Sequence, residues 1–589
     1  MTAFAALADN TTGKPMRCNN SLLRLSALAD IFILSSNKVS DMVLVRRWLS
    51  VLLALVLVSL ETAAAQVAPQ AVDSVFAAFQ GRDGPGCAVA VSRQHTEVLA
   101  RAYGMADLEH DVPNTTETIF EPGSVAKQFT ATATILLALD GKLALDDDVR
   151  KYLPEVPDYG TPITIRHLLN HTSGLRDWGV VAAMSGWPRT TRVHTHKHVL
   201  DIVAHQQALN YPPGEHYSYT NTGYNLQAIL VERVSGVSFA EFTRTRIFEP
   251  LGMAHTEWRD DFTRIVENRA IAYSARRGGG YRMDMPFENV HGNGGLLTTV
   301  GDLLRFTHNL ETGELGGPRY LEEMHRQGVL NSGRTISYAS GLVIGAYKGV
   351  REVQHSGATA GYRGFLTRFP DHGLAVAVMC NAGNANPAGL AHDVADLYLG
   401  DAIATADAGA TPTAVDVPAE QIQALSGGYK RMRDQTPLTL RWIDGALWVG
   451  NQRLTPVSST RFVTSGAVTL EFDGARGGAR PDAVLRTPDG DSMHLEPVPA
   501  FQPTAAELAE YVGEYESDEA EATYRVEVQS GALALVDRYG ESRPLGPAYP
   551  DAFSGPQGLI IFRRDGDAVT AFSVVQGRVW DLRFERAGR

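Results

Sequence analysis

The chain has 589 residues, 44% of them hydrophobic and 20% charged, and a net charge of −13. This excludes a disordered chain and a polytopic membrane protein, and without a basic excess no nucleic-acid partner is expected. Three cysteines, with no CxxC and no Cys/His metal spacing, exclude a disulfide scaffold and a structural zinc module; the length asks for several domains.

Residues 43–65 read VLVRRWLSVLLALVLVSLETAAA. Arg46 and Arg47 precede an apolar run from Trp48 to Leu60, shorter than the roughly 20 residues of a membrane span. Ala63-Ala64-Ala65 then supplies small residues for cleavage before Gln66, the order of a secretory signal. Met42 stands directly before the basic pair. The reading is that translation starts at Met42, residues 1–41 are not translated, and 42–65 are a signal peptide. The mature protein is then periplasmic or secreted and has no stable membrane span; an uncleaved signal anchor is the alternative. Export leaves Cys87 and Cys380 in an oxidising compartment. Both sit in strand-like runs, CAVAVSR and GLAVAVMCN, and a disulfide between them requires those strands to pair antiparallel, start against end.

Residues 66–400 mix helical and strand patterns. Ser124 to Leu139 has the length and continuous apolarity of a buried helix. Val199 to Leu209 reads as a shorter amphipathic helix with Thr195 as its cap. Glu352 to Asn381 reads as two strands broken at Pro370-Asp371-His372-Gly373. Residues 401–422 open with an Ala/Thr/Pro-rich stretch without aromatics, a linker. Beyond it, short alternating runs recur with Gly and Asp-Gly turns, an all-β pattern. An internal repeat is visible there: Gly427 and Tyr429 match Gly513 and Tyr515, Leu447 matches Leu533, Phe462 matches Phe553, and Phe472 matches Phe562. Two units follow, 423–500 and 505–589, each of a size for a small closed antiparallel barrel; one continuous sandwich is the alternative.

Three short motifs carry chemistry. Ser124-Val125-Ala126-Lys127 is an S-x-x-K after the breaker Pro122-Gly123, and residues three apart on a helix share a face, so hydroxyl and amine can meet. A serine hydroxyl is a weak nucleophile until a base takes its proton, and a buried lysine of lowered pKa can be that base. The helix start also offers backbone N–H groups to an oxyanion. Tyr219-Thr220-Asn221 supplies a proton carrier and an amide that can orient substrate. In His355-Ser356-Gly357, period 2 puts His355 and Gly357 on one strand face; the glycine lets a substrate backbone approach, and the histidine offers a donor or a cation. Each motif alone is commonplace as a surface helix turn, a capping Asn or a strand histidine.

Together and in this order they resemble the penicillin-recognising serine hydrolases: class C β-lactamases, DD-carboxypeptidases, D-aminopeptidases and related esterases. ITIRHLLNHTSGL (163–175), PPGEHYSYTNTGYNL (212–226), PLGMAHT (250–256), GNGGLLTTVGDLLRF (292–306) and HSGATAGYRG (355–364) are similar too. The resemblance covers about residues 70–400. It implies an α+β fold, an α/β sandwich with a five-stranded antiparallel sheet, followed here by two lipocalin-like barrels, the second opening at LAEYVGEY (508–515). It implies Ser124 as acylated nucleophile, Lys127 as its base or proton partner, and Tyr219 as activator and proton shuttle. Asn221, His355 and Gly357 then hold substrate, and the backbone N–H groups of Ser124 and Ala358 form the oxyanion hole. Neither metal nor cofactor is implied. Most β-lactamases have Lys-Thr-Gly where this chain has His-Ser-Gly, which removes the point charge that meets the antibiotic carboxylate. The resemblance therefore implies an exported hydrolase of peptides or amides with D-amino-acid character. Two alternatives stand: an esterase or weak class C-like β-lactamase, and a penicillin-binding sensor that acylates without turnover. In the similar D-aminopeptidases a barrel loop narrows the active site. The triplet His194, His196, His198 is read as structural rather than as a metal site, and Asp146-Asp147-Asp148 as a solvated turn or cap.

Overall fold

In the computed structural model residues 67–404, 413–473 and 480–588 are described. The expectations for residues 1–41 and 42–65, and for the middle of the linker, lie outside the described residues. Two strands of small, branched residues make the centre of the first half. They are β1 (Cys87–Arg93) and, at the end of the sheet's sequence, LAVAVMC (Leu374–Cys380); the first six residues of one and all seven of the other are buried. Such continuous apolar runs fit strands covered on both faces. Between them in sequence come β2 (Thr96–Tyr103), β3 (Val343–Tyr347), β4 (Val350–Thr359) and β5 (Tyr362–Phe369), which makes Leu374–Cys380 β6. The order across the sheet is β2-β1-β6-β5-β4-β3, with every neighbouring pair antiparallel.

Two details differ from expectation. The sheet has six strands rather than five, because the half-exposed run VIGAY adds β3 at the edge. Its hairpin to β4 turns at Lys348-Gly349, both at positive φ (45° and 80°), as a type I′ turn demands. Residues 352–381 also hold three strands, not two. Thr359 pairs with Tyr362 across a tight turn with Ala360 at φ 45°, so the stretch read as one strand folds back on itself. The register of β1 against β6 sets Cys87 opposite Cys380, and the two are disulfide-bonded.

Helices cover the sheet. The stretch Gly123–Ala126 is a 3₁₀ turn that runs straight into α1 (Lys127–Leu139). Every residue of α1 from Lys127 to Leu137 is buried, as expected of a helix apolar all round. Its threonines satisfy their hydroxyls internally: Thr134 donates to Thr130 O at 3.0 Å and Thr132 to Gln128 O at 2.8 Å. Against it packs α2 (Thr222–Ser235), which follows the Tyr219-Thr220-Asn221 loop. The predicted helix after Thr195 spans His196–Ala204, starting earlier and ending sooner than the sequence pattern suggests. Thr195 is its N-cap, and its backbone N–H donates to His198 Nδ1 at 3.0 Å. His194 and His196 meet the carbonyls of Trp187 and His291, each at 3.0 Å, so all three histidines of this stretch hold the fold.

The rest of the chain forms two closed eight-stranded antiparallel barrels. The first runs from Gly427–Arg431 to Ser492–Pro497 and the second from Gly513–Ser517 to Val579–Arg586. The repeat pairs occupy matching places in the two cores. Tyr429 and Tyr515 are fully buried, and each hydroxyl donates to the carbonyl four residues earlier, Leu425 at 3.1 Å and Tyr511 at 2.8 Å. LAEYVGEY does not begin as a strand: Ala505–Glu510 is helical, with a capping box at Thr504, and the strand starts at Gly513. The second barrel is fastened to the α/β half. Val181 and Met184 of the helix Trp178–Met184 join its apolar core. The Tyr524 hydroxyl donates to Met184 O at 2.9 Å, and Ser185 Oγ to Ala520 O at 2.6 Å.

Candidate active site

The 3₁₀ turn before α1 presents Ser124, and the first helical residue is Lys127. Lys127 Nζ lies 3.0 Å from Ser124 Oγ, 3.0 Å from Asn221 Oδ1 and 2.8 Å from the Asn293 carbonyl. Three oxygens thus hold an amine with no solvent exposure. Burial pushes its pKa well below the usual lysine range; the nearby Arg578 charge pushes the same way and Asp177 opposes. A neutral amine 3.0 Å from a hydroxyl can accept its proton.

Tyr219 closes the other side. Lys127 Nζ sits 4.8 Å from the centre of its ring. Burial raises the phenol pKa, while a hydrogen bond with Ser124 and the Arg578 charge pull it back down. The phenol therefore keeps its proton and can pass it on. Beneath the ring lies His171, with ring centres 4.2 Å apart. Burial, with Lys127, keeps that imidazole neutral, and its Nδ1 accepts from the Thr220 backbone at 3.2 Å. The Asn221 backbone N–H donates to Asp177 Oδ2 at 2.8 Å, which sets the loop's height above α1.

The strand facing Ser124 is β4, whose residues after Gln354 extend beyond its pairing with β3. Gly123 stands at φ 56°, and a Cβ there would lie 2.5 Å from Ala358 N. A Cβ on Gly357 would lie 2.6 Å from Ser124 N and closer still to the Pro122 carbonyl oxygen. Two residues without Cβ thus let the helix start and β4 approach until the amides of Ser124 and Ala358 are neighbours, the arrangement an oxyanion hole requires. His355 is 3% exposed. Its Nε2 meets the Tyr338 hydroxyl at 3.0 Å and its Nδ1 the Ser356 carbonyl at 2.6 Å, which fixes the neutral tautomer with the proton on Nδ1. Burial, helped by Lys127, depresses its pKa to about 3. Of the two roles the sequence offers His355, donor or cation, this burial disfavours the cation.

Ser124, Tyr219, His355, Gly357 and Ala358 line one cavity of about 630 Å³. Residues without an assigned role in the sequence reading complete the site. The Asn293 carbonyl holds Lys127, and Asn225 holds the Asn293 side chain at 2.7 Å; the run GNGG (292–295) was the available signal. Tyr338 anchors His355. Arg578 reaches the same cavity from the second barrel, and no sequence signal pointed to it.

A serine beside a buried lysine, a tyrosine that keeps its proton and two closely approaching backbone amides suit a serine hydrolase. The chain belongs to the beta-lactamase family, whose model matches residues 72–400. It is 32% identical over 292 residues to Penicillin-binding protein 4* of Bacillus subtilis, 46% of this chain and 62% of that one, so it spans under two thirds of that relative. It is 27% identical over 515 residues to a D-aminopeptidase of Cereibacter sphaeroides, covering 86% of this chain and 92% of the relative. A solved octameric penicillin-binding protein homologue from Pyrococcus abyssi matches at TM-score 0.51 and 25% identity, covering 72% of this chain and 98% of that one.

Proposed function

We propose that this serine hydrolase is exported and cleaves amide or peptide bonds next to D-amino acids through an acyl-enzyme. The observation that carries the reading is the buried Lys127, held 3.0 Å from Ser124 Oγ with its pKa pushed down. Lys127 takes the Ser124 proton as the hydroxyl attacks the carbonyl. The Ser124 and Ala358 amides stabilise the oxyanion, and Tyr219 delivers a proton to the departing nitrogen. Water then attacks the ester by the reverse relay. Gly357, which the sequence pattern assigns to substrate approach, instead leaves room for the Pro122–Ser124 turn to pack against β4; His355 walls the cavity beside it, and Asn221 keeps the lysine in place. The D-amino-acid character is supported by the D-aminopeptidase likeness along most of the chain. Export is supported by the signal-like residues 42–65 and by the Cys87–Cys380 bridge, a bond at home in oxidising compartments. Among the described residues no helix is long and apolar enough to cross a membrane.

The test is a chiral panel: D- and L-aminoacyl amides, acyl-D-alanyl-D-alanine, nitrocefin and p-nitrophenyl esters, run with wild type and Ser124→Ala. D-selective turnover, lost in the variant together with covalent fluorophosphonate labelling, is the expected result. Equal rates on D and L substrates would remove the D-amino-acid reading, and labelling retained by the variant would remove Ser124. A burst without turnover would make the protein a sensor.

A further inference from the structure

The cavity at Ser124 is electropositive, and its charge comes from two different domains. Arg363 on β5 and Arg578 line it, and among the described residues no acidic side chain does. Arg578 occupies the turn between the last two strands of the second barrel, Ala568–Gln576 and Val579–Arg586. That turn is clamped to the catalytic half. The Arg578 carbonyl accepts from Asn210 Nδ2 at 3.1 Å and from the Asp177 backbone at 3.3 Å. Trp580 N donates to Asn210 Oδ1 at 2.8 Å, and Arg176 Nη2 to the Asp581 carbonyl at 2.8 Å. The Trp580 ring packs 5.0 Å from that of Tyr211. So anchored, the arginine extends over the active site, its guanidinium carbon 4.9 Å from the centre of the Tyr219 ring. Its ion pair is with Asp177 at 3.5 Å, and its side chain keeps 43% of its exposure. Asp177 already accepts from the Asn221 and Gly179 backbones. Apart from that ion pair, no side-chain hydrogen bond engages the guanidinium among the described residues, and the residue lines the cavity.

The chemistry of the reaction fixes what a cation at that place meets. Tyr219 gives its proton to the departing nitrogen, so the leaving residue lies against Tyr219. If that residue is a C-terminal amino acid, its carboxylate is two bonds from the same nitrogen, about 3 Å away. A guanidinium over the Tyr219 ring is within a side chain's reach of it and matches its geometry bidentately. We propose that Arg578, supplied by the second barrel, binds the free carboxylate of the leaving amino acid and makes this hydrolase selective for C-terminal residues over C-terminal amides. This rests on the reading of the site as an acyl-transferring amide hydrolase. It also gives the site the cation that His355 does not provide.

The test compares leaving groups that differ in charge alone. Acyl-D-alanyl-D-alanine is set against its C-terminal carboxamide, and an acyl-D-alanyl ester of lactic acid against the same ester of lactamide. The measured quantity is the ratio of kcat/KM within each pair, which cancels any effect common to both members. Wild type should prefer the carboxylate by roughly tenfold to a hundredfold, the range for a hydrogen-bonded charge pair. Arg578→Gln should bring the ratio near 1, mostly through KM; Arg578→Lys should keep part of it, and Arg578→Glu should invert it. Unchanged melting temperatures and far-UV spectra confirm folding, and the Lys variant keeps the turn's charge should Gln disturb it. A wild-type ratio near 1, or a ratio that survives Arg578→Gln, overturns the proposal. If the peptides are inert while the ester pair is cleaved, the D-peptide reading fails separately and the ester pair still decides the role of Arg578.

Discussion

Gly357→Ala should disable the oxyanion site while leaving nucleophile, base and proton carrier in place. The added Cβ would lie 2.6 Å from Ser124 N and nearer still to the Pro122 carbonyl oxygen. Both are backbone atoms of the 3₁₀ turn, so no rotamer change relieves the overlap. Ordinary contact needs about 3.5 Å, so β4 and the helix start must part by roughly 1–1.5 Å. A shift of that size is worth about 10²-fold by itself, and losing one oxyanion donor costs about 10²–10³ in kcat, some 2.7–4 kcal/mol. The same overlap should lower stability by roughly 1–3 kcal/mol, as overpacking does. Gly345→Ala on β3 is the control, because a Cβ there meets nothing within 4 Å. The assay is kcat and KM on a p-nitrophenyl ester, with thermal unfolding of both variants. Gly357→Ala within tenfold of wild type, at full folding, would refute the placing of the oxyanion site between Ser124 and Ala358.

Lys127→Met should lose on the order of 10²–10⁴ in rate yet be at least as stable as wild type. The folded-state pKa of Lys127 is depressed, so between it and the unfolded value near 10.5 the unfolded chain binds the extra proton. Wild-type stability then rises with pH across that window, and the variant should lack this contribution; identical slopes of melting temperature against pH would show a charged lysine in the folded protein. Tyr219→Phe should cost about 10²–10⁴ and remove a limb of the pH–rate profile, and a loss under about threefold would leave Tyr219 a packing role. Joining residues 293 apart in sequence, the Cys87–Cys380 bridge should contribute ~2–5 kcal/mol, measured by unfolding the double Ala variant, and no change on its removal would contradict this.

The chemistry was more legible than the architecture around it. Ser124, Lys127, Tyr219 and Asn221 lie on short local motifs, where helical spacing or one loop fixes what meets, and they do converge. The barrels were legible because duplication leaves matching aromatics such as Tyr429 and Tyr515 in matching cores. The edge strand β3 was not: VIGAY has a glycine and partly exposed residues, so its place rests on pairing with β4 rather than on its own pattern. The hairpin at Ala360-Gly361 escaped because the residue at positive φ is the alanine, and a single glycine inside a strand-like run reads as a bulge or close approach as readily as a turn. Arg578 had no local signal at all, since its relation to Ser124 exists only through the docking of the second barrel.

The location of that arginine follows from what Lys127 must do. As a proton acceptor it must stay neutral inside the protein, and a second buried cation beside it would be costly to desolvate and would repel any proton it carried. Residue 355 is 3% exposed, so a lysine there would bear that cost in full; a histidine avoids it by remaining neutral against Tyr338. A guanidinium at the cavity's rim keeps 43% of its exposure and has Asp177 as a counter-charge at 3.5 Å. From there its field lowers the pKa values of Lys127 and Tyr219. Fastening the second barrel through Asn210, Arg176 and Trp580 is what holds a charge at that rim. The second barrel is thus part of the electrostatics around Lys127 and Tyr219, and the selectivity proposed for Arg578 depends on the docking of that barrel.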